Sequence, residues 1–181
     1  MLLEISKKRS AGAPALYATR ATALLGECHE RIRHFSALAI RLATAEGAAP
    51  AEITETCGSL IRYFGQGLPL HEADEERSVT PALEAAGAAP ALHAALVRME
   101  AEHRAIHREL DRLMRTWQIL THSPDKLPRH THALEVGSRR LDALFEVHLA
   151  LEEERVFPAI EALPPSARAH LAQEIVARHR L

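Results

Sequence analysis

The sequence contains little of what several protein classes require. Only two of its 181 residues are cysteines, Cys28 and Cys57, which is too few for a disulfide framework or a cysteine-rich zinc site. Aromatic residues make up 4%, and no run approaches the ~18–20 apolar residues that a membrane-spanning helix needs. The 22 basic residues nearly cancel the 24 acidic residues. Without a basic excess, we expect neither nucleic acid nor an anionic membrane as a partner.

The remaining composition is that of a globular protein with enough apolar residues to form a core. Hydrophobic residues make up 47% and charged residues 25%, and the abundance of alanine and leucine favours helices. Between Met1 and Ser10 the apolar residues precede the basic ones, opposite to the order in a secretory signal. We therefore expect a cytoplasmic protein with two reduced thiols. One count is unusual: the chain has 12 histidines.

Glycine and proline divide the chain into four long helical blocks and a tail. Apolar residues at spacings of three and four predict helices over about 15–45, 51–77, 91–121 and 132–162. The sequence thus predicts an all-α protein, an up-down-up-down four-helix bundle over 15–163 with a short extra C-terminal helix over 164–181. Residues 1–14 are predicted to form a flexible N-terminus.

Several breaks in these helices are predicted from individual residues. Gly65, Gly67 and Pro69 predict a kink or break in the second block, and Pro81 and Gly87 mark its end. Three further expectations concern the later blocks: Pro128 delays the start of the fourth, Pro158 bends or terminates it, and Ser166 caps the C-terminal helix.

Each of the four blocks contributes a histidine, and two of them add a glutamate one turn later. The first and third blocks contain His29 and His103. The second and fourth contain pairs with i, i+4 spacing, which places both side chains on one helix face: His71 with Glu75, and His148 with Glu152. The two halves of the chain therefore repeat, with 42 residues from His29 to His71 and 45 from His103 to His148.

Apolar neighbours indicate that these polar side chains are partly buried, and a buried carboxylate costs several kcal/mol without a compensating cation. Six donors are too many for one tetrahedral zinc ion. Two ions bridged by Glu75 and Glu152 would use all six side chains and leave positions for an exogenous ligand. Mixed imidazole and carboxylate ligation suits iron, zinc or manganese. Since imidazoles bind metals only when neutral, we expect metal release below roughly pH 5–6.

The pattern resembles that of the hemerythrin HHE cation-binding family over roughly Ala21 to Ile160. The residues that match are His29, His71, Glu75, His103, His148 and Glu152, and the Val156-Phe157-Pro158 ending is also typical of this family. The resemblance implies a four-helix bundle around a non-haem centre of two iron ions. It further implies binding of O₂, NO or peroxide, or iron sensing and handling. The ferritin-like pattern differs, since it uses Glu-x-x-His at i, i+3.

Some positions allow two interpretations. Oxygen-carrying hemerythrins have a histidine pair at the position of His103 and His107, so His107 is either a seventh ligand or a surface or supporting histidine. Glu153 matches the spacing of the oxygen carriers, but Glu152 is favoured because it mirrors Glu75. Tyr63 either lines the pocket or belongs to the core.

The other ionisable residues are interpreted as surface groups. The remaining histidines, without a partner at metal spacing, are expected to be solvated or capping residues: His34, His93, His122, His130, His132, His170 and His179. The acidic residues beside the predicted ligands are expected to be surface charges, some of them paired with Arg77 or Arg155: Glu72, Glu76, Glu153 and Glu154. Met99, Met114 and Trp117 are expected to lie in the core.

Three functions fit a helical bundle with such a metal site. The first is a di-iron protein that binds O₂ or NO as a carrier or sensor, and the imidazole majority favours it. The second is a di-iron enzyme of the same fold that removes peroxide or oxidises iron. The third is a helical module with an inert zinc site. The sequence specifies no oligomeric state.

Overall fold

The structure, a computed structural model, describes residues 21–180, and the predicted flexible segment 1–14 lies outside them. Every regular element in the described range is helical. The helices are α1 (Ala21–Ala43), α2 (Pro50–Arg62), α3 (Leu68–Asp74), α4 (Thr80–Ala85), α5 (Pro90–His122), α6 (Leu127–Leu151), α7 (Phe157–Glu161) and α8 (Pro165–Arg178). The predicted all-α class and the extra C-terminal helix are thereby confirmed.

The bundle is built from α1, the continuous α2–α4 segment, α5 and the continuous α6–α7 segment. Helix α1 packs against α2 and α6, and α5 packs against the same two helices, which closes a ring of four. The connections around Gly47, Gly87 and Pro124 are short, so consecutive segments must run antiparallel. Gly47 and Gly87 have φ values of 70° and 81°, the left-handed conformation that glycine adopts without strain at the end of a helix.

Three π-helical turns interrupt the second and fourth segments, and each is followed by a proline. They span Tyr63–Gly67, Glu75–Val79 and Glu152–Val156, and the prolines are Pro69, Pro81 and Pro158. Each proline stands six residues after the first residue of its turn. A proline has no N–H to donate and collides with the carbonyl four residues before it. The widened turn, closed by an i→i−5 hydrogen bond, admits the proline without ending the helix.

These turns correct the predicted helix ends. The second segment does not break at Gly65–Pro69, and it continues past Pro81 as helix to Ala85, just before the predicted end at Gly87. The fourth segment passes Pro158 without terminating and ends at Glu161, close to the predicted end at 162.

Two further predictions, both about where a helix starts, are also wrong, and in each case a proline occupies the start. Pro128 does not delay the fourth segment, because it occupies the first turn of α6, where its missing N–H would have no helical acceptor. Pro164, not Ser166, occupies the N-cap position of α8, and Ser166 lies within the helix.

The apolar core consists of two clusters with a polar layer between them. The loop-side cluster includes Leu60, Phe64, Trp117 and Phe145 and lies toward the α1–α2 and α5–α6 connections. The C-terminal cluster joins the opposite ends of the bundle to α8 and includes Leu25, Met99, Val156 and Ile175. Met99 and Trp117 are buried as predicted, and Met114 packs at the edge of the loop-side cluster. Between residues 21 and 180, no helix is long and apolar enough to cross a membrane.

Candidate metal centre

The four predicted histidine ligands lie where the two apolar clusters meet. On α1, His29 follows Leu25 of the C-terminal cluster and precedes Ile32 of the loop-side cluster. On α5, His103 stands between Met99 and Ile106 in the same way. His71 and His148 occupy corresponding levels of the other two segments, so all four helical segments contribute to one layer. Together with Glu75 and Glu152, we call this set the His/Glu cluster.

All six side chains of the His/Glu cluster are buried, and they form two overlapping groups. His29, His71, Glu75 and Glu152 form the first group, and in the second His103 and His148 join the same two glutamates. In each group, one potential ligand atom from every residue lies within 4.8 Å of the others. Both carboxylates therefore belong to both groups.

Each carboxylate directs one oxygen to each group. Glu75 places Oε1 2.9 Å from Nε2 of His71 and Oε2 3.1 Å from Nε2 of His103. Glu152 places Oε2 2.9 Å from Nε2 of His29 and Oε1 3.0 Å from Nε2 of His148. This is the arrangement that two carboxylates need in order to bridge a pair of cations.

The cluster contains buried polar atoms that the protein itself does not satisfy. Although the charged atoms approach closely, seven of them have no hydrogen-bond partner in the described part of the chain: Nε2 of His29, both ring nitrogens of His71, Oε2 of Glu75, Nδ1 of His103 and both carboxylate oxygens of Glu152. Leaving such atoms unpaired in a protein interior is costly. Imidazole nitrogens and carboxylate oxygens that converge on one interior position are donors that divalent cations bind through their lone pairs.

Without a cation, the cluster distributes its charge as imidazolium–carboxylate pairs. Burial lowers the pKa of His148, but Glu152 and Glu102 outweigh it and raise the value to about 10. The pKa of His71 is likewise depressed by burial, yet Glu75 lifts it well above its ordinary value. Burial raises the pKa of Glu75, whereas His71 and His103 bring it well below its usual range. Protons and cations therefore compete for the same nitrogens.

Acidic side chains outside the cluster hold two of the histidine rings in place. Glu153 accepts from Nδ1 of His29 at 2.8 Å, and Nδ1 of His148 lies 3.3 Å from Oε2 of Glu102. Such partners fix the ring so that Nε2 faces the cluster. Phe157 also stacks on His29, with ring centroids 5.0 Å apart. Glu102 was not singled out in the sequence, and its position directly before His103 was the only signal for it.

His107 lies outside both groups. Its ring is half exposed, and Nε2 lies 3.0 Å from Oε2 of Glu72. Glu72 is therefore not the surface charge that the sequence suggested, since it is buried beside the cluster and burial raises its pKa. Tyr63 stacks on Phe35 at 4.0 Å and belongs to the aromatic packing of the loop-side cluster.

The other predicted surface groups are mostly exposed, with exceptions. Glu153, 38% exposed at its side chain, pairs with Arg33 rather than with Arg77 or Arg155. His170 does have a glutamate at metal spacing, Glu174, 3.3 Å away, but both side chains are exposed.

His179 is not merely a solvated residue, because it binds a buried carboxylate. Its Nε2 lies 2.6 Å from Oδ2 of Asp74, a side chain with no exposed surface. Arg178 contacts the other Asp74 oxygen and donates to Oγ of Ser78 at 2.9 Å. The end of α8 is thus bonded to the segment that contains Glu75. No sequence pattern predicts this contact, because Arg178 follows Asp74 by 104 positions along the chain.

The comparison with known families agrees with this geometry. The hemerythrin HHE cation binding domain matches residues 20–160, a range that contains the whole His/Glu cluster. No curated protein matches the chain. Because the match covers most of the sequence, the chain belongs to the hemerythrin HHE cation-binding family.

Proposed function

We propose that this protein holds two iron ions in the His/Glu cluster and binds O₂ or NO there, as a carrier or sensor. The observation that supports it most directly is the sharing of Glu75 and Glu152 between two groups of histidines. Each ion would receive two imidazoles and one oxygen from each carboxylate, with His29 and His71 on one ion and His103 and His148 on the other.

Donor type does not separate iron from zinc, because imidazole and carboxylate suit both metals, and iron is proposed on the ground of coordination number. Four protein donors would complete a tetrahedral zinc site and leave it inert. A six-coordinate ion with the same donors keeps positions for a small ligand, and imidazole suits iron well. A pair of irons supplies reversible affinity for a diatomic gas. The protein's part is to hold the rings in place through Glu153 and Glu102 and to surround the site with apolar side chains.

A cytoplasmic location belongs to the same proposal. Cys28 and Cys57 are both buried and unpaired, as expected where thiols stay reduced. Burial raises the pKa of Cys57 to about 12, so this thiol is unreactive at neutral pH.

The test is metal analysis followed by gas titration of the iron-loaded protein. Two irons per chain are expected, with absorption bands that appear on exposure to O₂ or NO and fade when the gas is removed. The His71→Ala variant should lose these bands. The His132→Ala variant should keep them, because His132 is exposed and outside the cluster. Zinc in place of iron, or bands that never reverse, would refute the proposal.

A further inference from the structure

A cavity of about 340 Å³ opens beside the His/Glu cluster, between the π-helical turn at Glu75–Val79 with α4 on one side and the first half of α5 on the other. Its lining is acidic: the described residues that form it include three carboxylates and no lysine or arginine. Six of its lining residues are Glu76, Glu84, His93, Met99, Glu100 and His103.

His103 forms the wall between this cavity and the cluster. Its Nε2 faces inward, 3.1 Å from Oε2 of Glu75. Its Nδ1 is on the side of Glu76, 3.6 Å from Oε1, and has no hydrogen-bond partner. The ring is only 4% exposed, so a polar atom is buried at the inner end of the cavity with its lone pair or proton unused.

The carboxylates at the mouth differ in how much of their charge is neutralised. Glu100 is paired with Arg104. Among residues 21–180, Glu84 has only a weak contact with His93, whose Nδ1 is 3.9 Å away. Within the same range, Glu76 faces His103 and no lysine or arginine contacts it. A concave surface with this charge concentrates cations. Neutral gases such as O₂ and NO gain nothing from it, so the charge points to a metal ion as the occupant.

We propose that this cavity binds divalent cations transiently and delivers them to the His/Glu cluster. This inference rests on the proposed metal-binding function of that cluster. Glu76 and Glu84 would attract the hydrated ion, and rotation of the His103 ring would connect the cavity with the cluster. The His103 ring links the two sides: its Nδ1 lies 3.6 Å from Glu76 in the cavity and its Nε2 3.1 Å from the bridging residue Glu75.

The test measures how fast the metal-free protein takes up Co²⁺, whose visible absorption changes on binding, by stopped-flow mixing at low ionic strength. Glu76→Gln/Glu84→Gln should load about tenfold more slowly than the unmodified protein, and Glu84→Gln alone should be intermediate. The difference should shrink as salt is added, because salt screens exposed charges. Both variants should still reach two Co²⁺ per chain.

The matched control is Glu46→Gln/Glu55→Gln, which removes the same charge from exposed positions that do not line the cavity. It should load at the unmodified rate. The cavity is not the route if the control slows as much as the cavity variant, or if the cavity variant loads at the normal rate. If the unmodified protein itself fails to hold two Co²⁺, the proposed metal centre fails and this inference falls with it.

Discussion

At the scale of single residues, the two glutamates of the cluster differ from the four histidines in the number of groups to which they belong. Each histidine contacts one group, whereas Glu75 and Glu152 contact both. Loss of a histidine should therefore damage one ion position, and loss of a bridging carboxylate should damage two. This difference is measurable and does not depend on which metal is bound.

We expect His29→Ala to retain about one metal ion per chain, since the second group keeps all its donors. Glu152→Gln should retain less than His29→Ala, because both positions lose an anionic oxygen. Elemental analysis of purified variants measures the ratio. Equal metal content in the two variants would contradict a bridging role for Glu152.

The carboxylate that orients His29 should affect affinity without being a ligand. Glu153→Gln weakens the contact at Nδ1 of His29, and we expect metal affinity to fall about 10–100-fold. Competition with a chelator of known affinity measures this loss. The neighbouring exposed Glu154 is the matched control, and Glu154→Gln should bind metal normally. An unchanged affinity for Glu153→Gln would show that Phe157 packing alone orients the ring.

The six members of the cluster could be predicted from spacing along the helices, since i, i+4 pairs share a face whatever the packing. The residues that orient the histidine rings could not be predicted in this way. Whether Glu102 or Glu76 reaches a histidine depends on how α5 and its neighbours are rotated about their axes, and hydrophobic periodicity determines that rotation only coarsely. The prediction that Glu72 is a surface charge is wrong for the same reason, since Glu72 is buried.

At the scale of elements, the π-helical turns are the feature that connects local sequence to the centre. Two of the three begin at Glu75 and Glu152 themselves. The wider turn changes the direction of the residues after it, which is why such turns recur at functional sites. The sequence contained the signal in Pro81 and Pro158. A proline inside a helical pattern is usually interpreted as a break, and here the extra residue in the turn absorbs it.

Helix α8 stabilises the turn that begins at Glu75. Arg178→Ala would leave the buried Asp74 carboxylate with His179 as its remaining partner, and we expect a loss of about 1–3 kcal/mol in the free energy of unfolding. Urea denaturation measures it. The exposed neighbour Arg180 provides the control, and Arg180→Ala should change stability little. Equal stability of the two variants would mean that α8 is held by its apolar face alone.

At the scale of the whole molecule, pH should act in opposite directions on the metal-free and metal-loaded protein. In the metal-free protein, the His71 and His148 imidazolium groups stabilise the fold fully below their unfolded pKa of ~6.5. This stabilisation is lost as the pH rises through the folded pKa, which is about 10 for His148. Stabilisation by Glu75, whose pKa is lowered, is present above ~4.5 and lost as pH falls.

The metal-free protein should therefore be most stable between about pH 5 and 6.5. Metal binding displaces protons from the same imidazoles, so the stabilisation by metal should grow as pH rises above 6.5. Thermal unfolding with and without metal across this range measures both. The raised histidine pKa values imply that protons begin to compete above the pH 5–6 expected from ordinary imidazoles. A metal effect that is constant with pH would contradict this account.

The four-helix arrangement followed directly from the pattern of apolar residues and the short connections. The division of the core into two apolar clusters could not be predicted from that pattern. Residues at helical spacing predict one continuous apolar stripe, and only the three-dimensional structure shows that the His/Glu cluster separates Leu25, Met99 and Val156 from Ile32, Ile106 and Phe145.

That separation affects what an optical experiment can detect. The one tryptophan of the sequence, Trp117, has no exposed surface and stacks on Phe64 at 5.8 Å, wholly within the loop-side cluster. Its fluorescence reports the solvation of that half of the molecule and is silent about the half beneath α8. If removal of the ions lets the two halves loosen independently, emission would stay constant while circular dichroism already declines, and a melting curve recorded by fluorescence alone would overstate the stability of the protein.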